Sequence, residues 1–113
     1  MEEQPAIDAL GALAQPTRLA VFRALVRAGP SELPAGSLAL LTETPPSTLS
    51  AHLRVLEQAG LVRARRDSRH MFYTARLETA RALIAFLMQD CCAGHPAICA
   101  DLPGSPSDEE MMA

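Results

Sequence analysis

The chain has no lysine; apart from three histidines, all ten of its basic side chains are arginine. It also has no long apolar run. The longest candidate, "ALIAFLMQDCCA" after Arg81, is interrupted by Asp90, well short of the ~20 apolar residues that cross a bilayer. No membrane partner is expected. The opening "MEEQPAID" is acidic and lacks the basic and apolar regions of a secretory leader, so the expected location is cytoplasmic. Cysteine is scarce as well. There are three, all within residues 90–99, and an odd number excludes complete pairing within one chain. In a reducing cytosol such a cluster points to metal binding or thiol chemistry before a disulfide framework. At 113 residues a single small domain buries only about 60–70% of its unfolded surface, which leaves room for a dimer to bury more.

The formal net charge of −3 conceals a segregation. Residues 18–81 hold every arginine against five acids (Glu32, Glu43, Glu57, Asp67 and Glu78), while residues 1–17 and 82–113 are acidic. Arginine's planar fork suits phosphate oxygens better than a lysine ammonium does, so the middle of the chain is a candidate phosphate-binding surface. Solvated helix faces would produce the same distribution, and charge alone does not decide between them.

Hydrophobic periodicity predicts mostly helix. A short helix spans Ile7 to Ala14. A second restarts at Pro16, carries Leu19, Phe22, Leu25 and Val26 on one stripe with Arg18, Arg23 and Arg27 off it, and stops at Gly29-Pro30. A third runs roughly from Pro34 to Thr42, turns through Glu43-Thr44, and is followed by a fourth from Pro45-Pro46 to Ala59 with Gly60 as its stop. Two short helices joined by a tight turn form a helix-turn-helix. The period then changes: "LVRARRDSRHMFYTA" predicts a β-hairpin with "RRDSR" at its tip. A last helix from about Glu78 to Cys92 places Ala80, Leu83, Ile84, Leu87 and Cys91 on one stripe. The expected fold class is therefore mainly α with a small β-hairpin, as one domain over residues 1–102. Residues 103–113, rich in proline, serine and acid, are expected to be a disordered tail.

With Leu49, Leu53 and Leu56 turned inward, the fourth helix presents Ser47, Ala51, Arg54, Val55 and Gln58 on the opposite side at 100° per residue, with Thr48 near its edge. Small polar residues in the first turn and an arginine farther along suit entry into the DNA major groove. Ser50 and His52 fall on the flanks, and His52 is equally a packing residue or a DNA contact. Arg65, Arg66 and Arg69 surround the hairpin tip, where a basic ribbon can reach the adjacent backbone or minor groove. The candidate DNA-binding set is Ser47, Thr48, Ser50, Ala51, His52, Arg54, Arg65, Arg66 and Arg69, and the expected partner is double-stranded operator DNA.

"LAQPTRLAVFRAL", "STLSAHLRVLEQAGLV" and "RRDSRHMFY", taken in order, resemble the ArsR/SmtB family of winged helix-turn-helix repressors over roughly residues 7–92. The resemblance implies four helices, a β-hairpin wing and a fifth helix. It also implies a homodimer formed through the first and last helices, bound to a palindromic operator of a metal- or metalloid-resistance operon. Two sensor sites of that family are missing. "ELPAGSL" has no thiol where one pattern places cysteines, and "ETARALIAFLMQD" has no histidine for a zinc site along the last helix.

What remains is "DCCAGHPAIC". Adjacent Cys91 and Cys92 would diverge by about 100° at a helix end, and Gly94 and Pro96 allow a chain reversal that returns Cys99. Three soft thiolates suit As(III) or Sb(III) as inducer, and the resemblance agrees, since some members carry a cysteine pair and a third cysteine at the end of the fifth helix. Zinc or cadmium, or a thiol redox signal, is the alternative. His95 could complete a Cys₃His zinc site, although four donors within nine residues fit poorly with the usual spacing. Packing as small apolar residues would account for Cys91 on its stripe but not for all three. An enzyme is not expected: a helix C-terminus disfavours thiolate, and no arginine follows to hold an oxyanion.

Overall fold

The computed structural model describes residues 1–89; the cysteine segment, His95 and the expected tail lie outside the described residues. Five helices and three short strands follow in the order α1 (Glu3–Leu13), α2 (Pro16–Ala28), β1 (Leu33–Pro34), α3 (Ala35–Thr42), α4 (Pro46–Gln58), β2 (Val62–Asp67), β3 (His70–Ala75) and α5 (Leu77–Leu87).

Local chemistry sets most boundaries. Pro16 opens α2, where its missing N–H costs nothing, and the Gln15 side chain accepts from the Arg18 amide at 2.7 Å. Gly29 ends the helix at φ 62°, a left-handed conformation that glycine adopts without a Cβ clash. Gly60, at φ 77°, does the same between α4 and β2, and the Leu61 amide closes back onto Leu56 O at 3.0 Å.

The core lies where α2, α3, α4 and the sheet converge. Val21, Leu25, Leu38, Leu49, Leu53, Leu56, Leu61 and Val62 are all essentially inaccessible, and burial of such side chains is the main driving force for the fold. Against it, α1 buries Ala6, Ala9 and Ala12, small residues that permit a close helix approach, with Leu13 partly buried at its end.

Several sequence expectations need correction. The first helix begins at Glu3 rather than Ile7. On α2 the inward face is Val21, Phe22, Ala24 and Leu25, while Leu19 and Val26 are exposed, so the true stripe is rotated from the expected one. The hairpin gains a third strand: Leu33 pairs with Tyr73 and Pro34 with Phe72, giving an antiparallel sheet ordered β1-β3-β2. Asp67 pairs with His70, so of the expected tip only Ser68 and Arg69 form the turn, and Arg65 to Asp67 belong to β2. The last helix, α5, ends at Leu87, and of its expected stripe Leu83 is buried but Ile84 and Leu87 are more than half exposed, while Cys91 and the expected end at Cys92 lie outside the described residues. No helix among the described residues is long and apolar enough to cross a membrane.

Candidate nucleic-acid interface

The turn between α3 and α4 is built from side chains that satisfy the end of α3. Thr42 Oγ1 donates to Leu38 O at 2.8 Å and Thr44 Oγ1 to Thr42 O at 3.1 Å. Glu43 takes the left-handed conformation, and the Thr44 amide returns to Ala39 O at 3.0 Å. Pro46 then starts α4 in a new direction.

Leu49, Leu53 and Leu56 fix α4 to the core by one face. The opposite face is open: Ser47, Thr48, Ser50, Ala51, Arg54 and Gln58 are exposed, and Val55 is just so. No acidic residue lies in the first turn, so its backbone N–H groups and hydroxyls face outward without a competing carboxylate and can serve phosphate or base-edge acceptors. Ser50 also borders an apolar cleft between α3, α4 and β3, lined by Pro46, Leu49, Met71 and Tyr73.

His52 differs from its neighbours in being half-buried. Its Nδ1 lies 3.2 Å from an Arg18 guanidinium nitrogen. Arginine can only donate, so Nδ1 is the acceptor and the ring proton sits on Nε2. The same guanidinium donates through Nε to Ala12 O at 2.6 Å and approaches Gly11 O at 3.5 Å. Arg18 thereby ties the C-terminal end of α1 to α4. Sequence reading placed Arg18 merely off the apolar stripe; nothing local marks its role, because its partner is 34 residues away.

The wing splits the three arginines expected at its tip. In an antiparallel sheet, opposed residues share a face and faces alternate along each strand. Tyr73 is buried, with Ala64 and Leu33 opposite it. Arg66 is opposite Met71 and so shares this inner side, toward α4. Arg65 is opposite Phe72, on the outer face. Arg66 Nε donates to Ser68 O at 3.1 Å, and Arg69 is exposed in the turn beside Ser68, which holds φ 60°. Arg65 is engaged elsewhere, by Glu32 at 2.7 Å. Arg63 stands 4.0 Å from Glu78. Glu32 was not among the residues that the sequence singled out. The Tyr73 phenol is pushed above its ordinary value, first by burial and then by the Glu57 charge.

An exposed helix at the second position of a helix-turn-helix, flanked by a β-hairpin, defines a winged-helix DNA-binding architecture. Comparison with known proteins agrees. Residues 13–65 match the family model described as a helix-turn-helix domain. The chain is 33% identical over 87 residues to the transcriptional activator HlyU of Vibrio cholerae, covering 77% of this chain and 78% of that protein. The solved HlyU structure superposes with a TM-score of 0.62 at 31% identity, over 80% of this chain and 99% of the other. A structure described as a possible transcriptional regulator for arsenical resistance is 33% identical, with a TM-score of 0.61 over 84% and 96% of the two chains. A homodimeric winged helix-turn-helix domain from Mycobacterium bovis, described as a possible ArsR-family regulator, is 27% identical with a TM-score of 0.62 over 81% and 85%. The chain belongs to the ArsR family of winged-helix transcriptional regulators.

Proposed function

We propose that this regulator is a metalloid-responsive repressor: a homodimer that binds operator DNA through α4 and the wing and is released when As(III) or Sb(III) binds Cys91, Cys92 and Cys99. The observation that carries the sensing reading is positional. All three thiols fall within the twelve residues that follow α5 in sequence, and among the described residues no group of three or more His, Cys, Asp or Glu side chains is placed to hold a metal. Three soft sulfur donors without a carboxylate partner set match a thiophilic trivalent ion. The similarity to a regulator described as concerned with arsenical resistance supports the same reading. Zinc, cadmium or a change of thiol redox state acting on these cysteines is the second reading, and the uneven spacing of a Cys₃His set weighs against zinc.

The dimer reading rests on exposed apolar side chains. Ile7 and Leu10 on α1, and Ile84 and Leu87 on α5, are each more than two-fifths exposed. These two helices pack against one another, which puts the exposed side chains of both within reach of one partner surface. A homodimer similar to the M. bovis domain would cover them. It would also set two copies of α4 for half-sites about one DNA turn, roughly 34–36 Å, apart. A ligand gathering the three thiols would then act on the end of a dimer helix, and release requires that it bind the DNA-free form more tightly. Arsenite arrives as As(OH)₃, and each thiol proton departs with a hydroxide as water, so arsenite affinity should change little as pH falls, whereas zinc or cadmium must displace the protons into solvent and should bind more weakly.

The test is to titrate the DNA-bound protein with arsenite, antimonite, methylarsenite, zinc and cadmium and follow release. Arsenite or antimonite should release the wild type but not the Cys91→Ser or Cys92→Ser variants, with operator affinity unchanged in both. Loss of DNA binding by a folded, dimeric serine variant would make the cysteines structural, and release by zinc or cadmium alone would favour the second reading.

A further inference from the structure

Glu32 stands immediately before β1, and β1 runs directly into α3. Its carboxylate is gripped by Arg65: Nε lies 3.0 and 2.8 Å from the two oxygens, and a terminal nitrogen 2.7 Å from Oε1. Arg65 belongs to β2, at the opposite edge of the sheet from β1. Its side chain therefore crosses the outer face of β3, and its guanidinium carbon lies 5.0 Å from the centre of the Phe72 ring. A cation over an aromatic face is attracted to the ring's negative centre, so the crossing is held at its middle as well as its end. The Arg65 hydrogen bond is the main cause holding the Glu32 carboxyl below its ordinary value, against the opposing effect of desolvation.

We propose that Glu32 and Arg65 are positioning residues for the DNA interface, forming a clip across β3 that sets the pitch of the wing against the helix-turn-helix, and that Arg65 itself makes no phosphate contact. β1 contributes only two residues to the ladder, too few to define an angle firmly. Because α3 starts at Ala35, whatever fixes Glu32 against β2 also fixes the start of α3 against the wing. Arg65 sits on the face away from α4 and its donors are turned to a carboxylate, whereas Arg66 and Arg69 carry no acidic partner among the described residues. This assignment rests on the reading that α4 and the wing bind DNA.

The experiment measures affinity for a mixed-sequence DNA duplex by fluorescence anisotropy between about 50 and 200 mM salt. Arg65→Gln and Glu32→Gln should both weaken binding, by about two- to five-fold, the worth of an exposed ion pair, with the salt slope unchanged. The two substitutions shift the charge in opposite directions, so only a positional role weakens binding in both. The double charge swap Glu32→Arg with Arg65→Glu should recover most of the loss. Arg66→Gln is the internal comparison and should reduce the slope by about 0.9, as loss of one phosphate contact does. A slope reduced by about 0.9 in Arg65→Gln, or tighter and more salt-sensitive binding in Glu32→Gln, would make Arg65 a phosphate contact masked by Glu32 and overturn the proposal. Unchanged affinity in both variants would overturn it too. A wild type that binds no duplex at any salt would instead bring down the DNA-binding reading, and the clip's role with it.

Discussion

Removing the Arg18 guanidinium should loosen the joint between α1 and α4 by an amount the geometry bounds. Arg18→Met keeps the aliphatic stem and deletes the donors. Of three contacts, the one to Gly11 O at 3.5 Å is too long to count for much, leaving Ala12 O at 2.6 Å and His52 Nδ1 at 3.2 Å. Hydrogen bonds from a charged donor are generally worth about 1.5–3 kcal/mol and ordinary ones about 1; partial exposure puts the carbonyl contact near the low end of the first range and the longer histidine contact at the ordinary value. The expected destabilisation is therefore about 2–3 kcal/mol, of which the histidine link supplies roughly 1. His52→Leu should cost about that last amount. The double variant should fall short of the sum by about 1 kcal/mol, roughly five-fold in the folded-to-unfolded ratio. His52→Gln, which retains an acceptor, should be nearly neutral. Urea denaturation at one fixed protein concentration reads all four, since the stability of a dimer depends on concentration. Additivity within about 0.3 kcal/mol would refute the reasoning, because residues in contact must couple. In DNA binding the same variants should lose affinity without a change of salt slope; a slope lowered by Arg18→Met would place that arginine on phosphate instead.

Four further outcomes are expected. Leu53→Ala, in a side chain 2% exposed between α4 and the core, should cost about 2–5 kcal/mol in denaturant unfolding, and a cost below about 1 would mean that α4 is not docked as described. Arg54→Ala and Arg66→Ala should each flatten the salt dependence of DNA binding by about 0.9. The protein has one tyrosine and no tryptophan, so an ultraviolet absorbance titration reports Tyr73 alone. Its midpoint should lie above the ordinary value of 10.0 in the folded protein and return to it in denaturant; a folded pKa raised above the unfolded one contributes stability that is lost as pH rises through it. For Glu32 the sign is reversed. Its lowered carboxyl pKa makes the clip's contribution complete above the ordinary 4.5 and lost only as pH falls below that. Wing-dependent binding should thus be flat between about pH 6 and 8 on this pair's account.

Those residues also show where sequence reading succeeds and where it stops. α4 was legible because its signals are local: Pro46 at the start, leucines at 49, 53 and 56, and Gly60 after the end. The same periodicity misjudged α2, where Leu19 and Val26 are apolar yet exposed. A helix of a domain that leaves apolar surface for a partner carries two stripes, and composition does not say which one faces the core. α5 misled in the same way, with Leu83 inward but Ile84 and Leu87 outward. β1 escaped notice because two residues carry no alternation, and its pairing with Tyr73 and Phe72 spans about forty residues of sequence. Glu32 escaped for the same reason.

The two joints found only in the structure have a common consequence for how a signal could reach DNA. Arg18 fastens α4 to α1, and Arg65 fastens the wing to the entry of α3, so both elements proposed to face DNA are tied to the rest of the domain by side chains as well as by backbone. With the first joint in place, a displacement of α1 is expected to carry α4 with it. In the proposed dimer, whose two copies must meet half-sites at a fixed separation of about one turn, a small shift at the helix ends would change the fit of both copies together. If Arg18→Met loosens that joint, the release of DNA by an inducer should become less complete even where affinity in its absence is restored by lower salt. The measurement is the residual bound fraction at saturating arsenite, compared with wild type at matched starting occupancy. An unchanged residual would mean that the signal travels through α5 without α1, and that Arg18 holds the helix without conveying its movement.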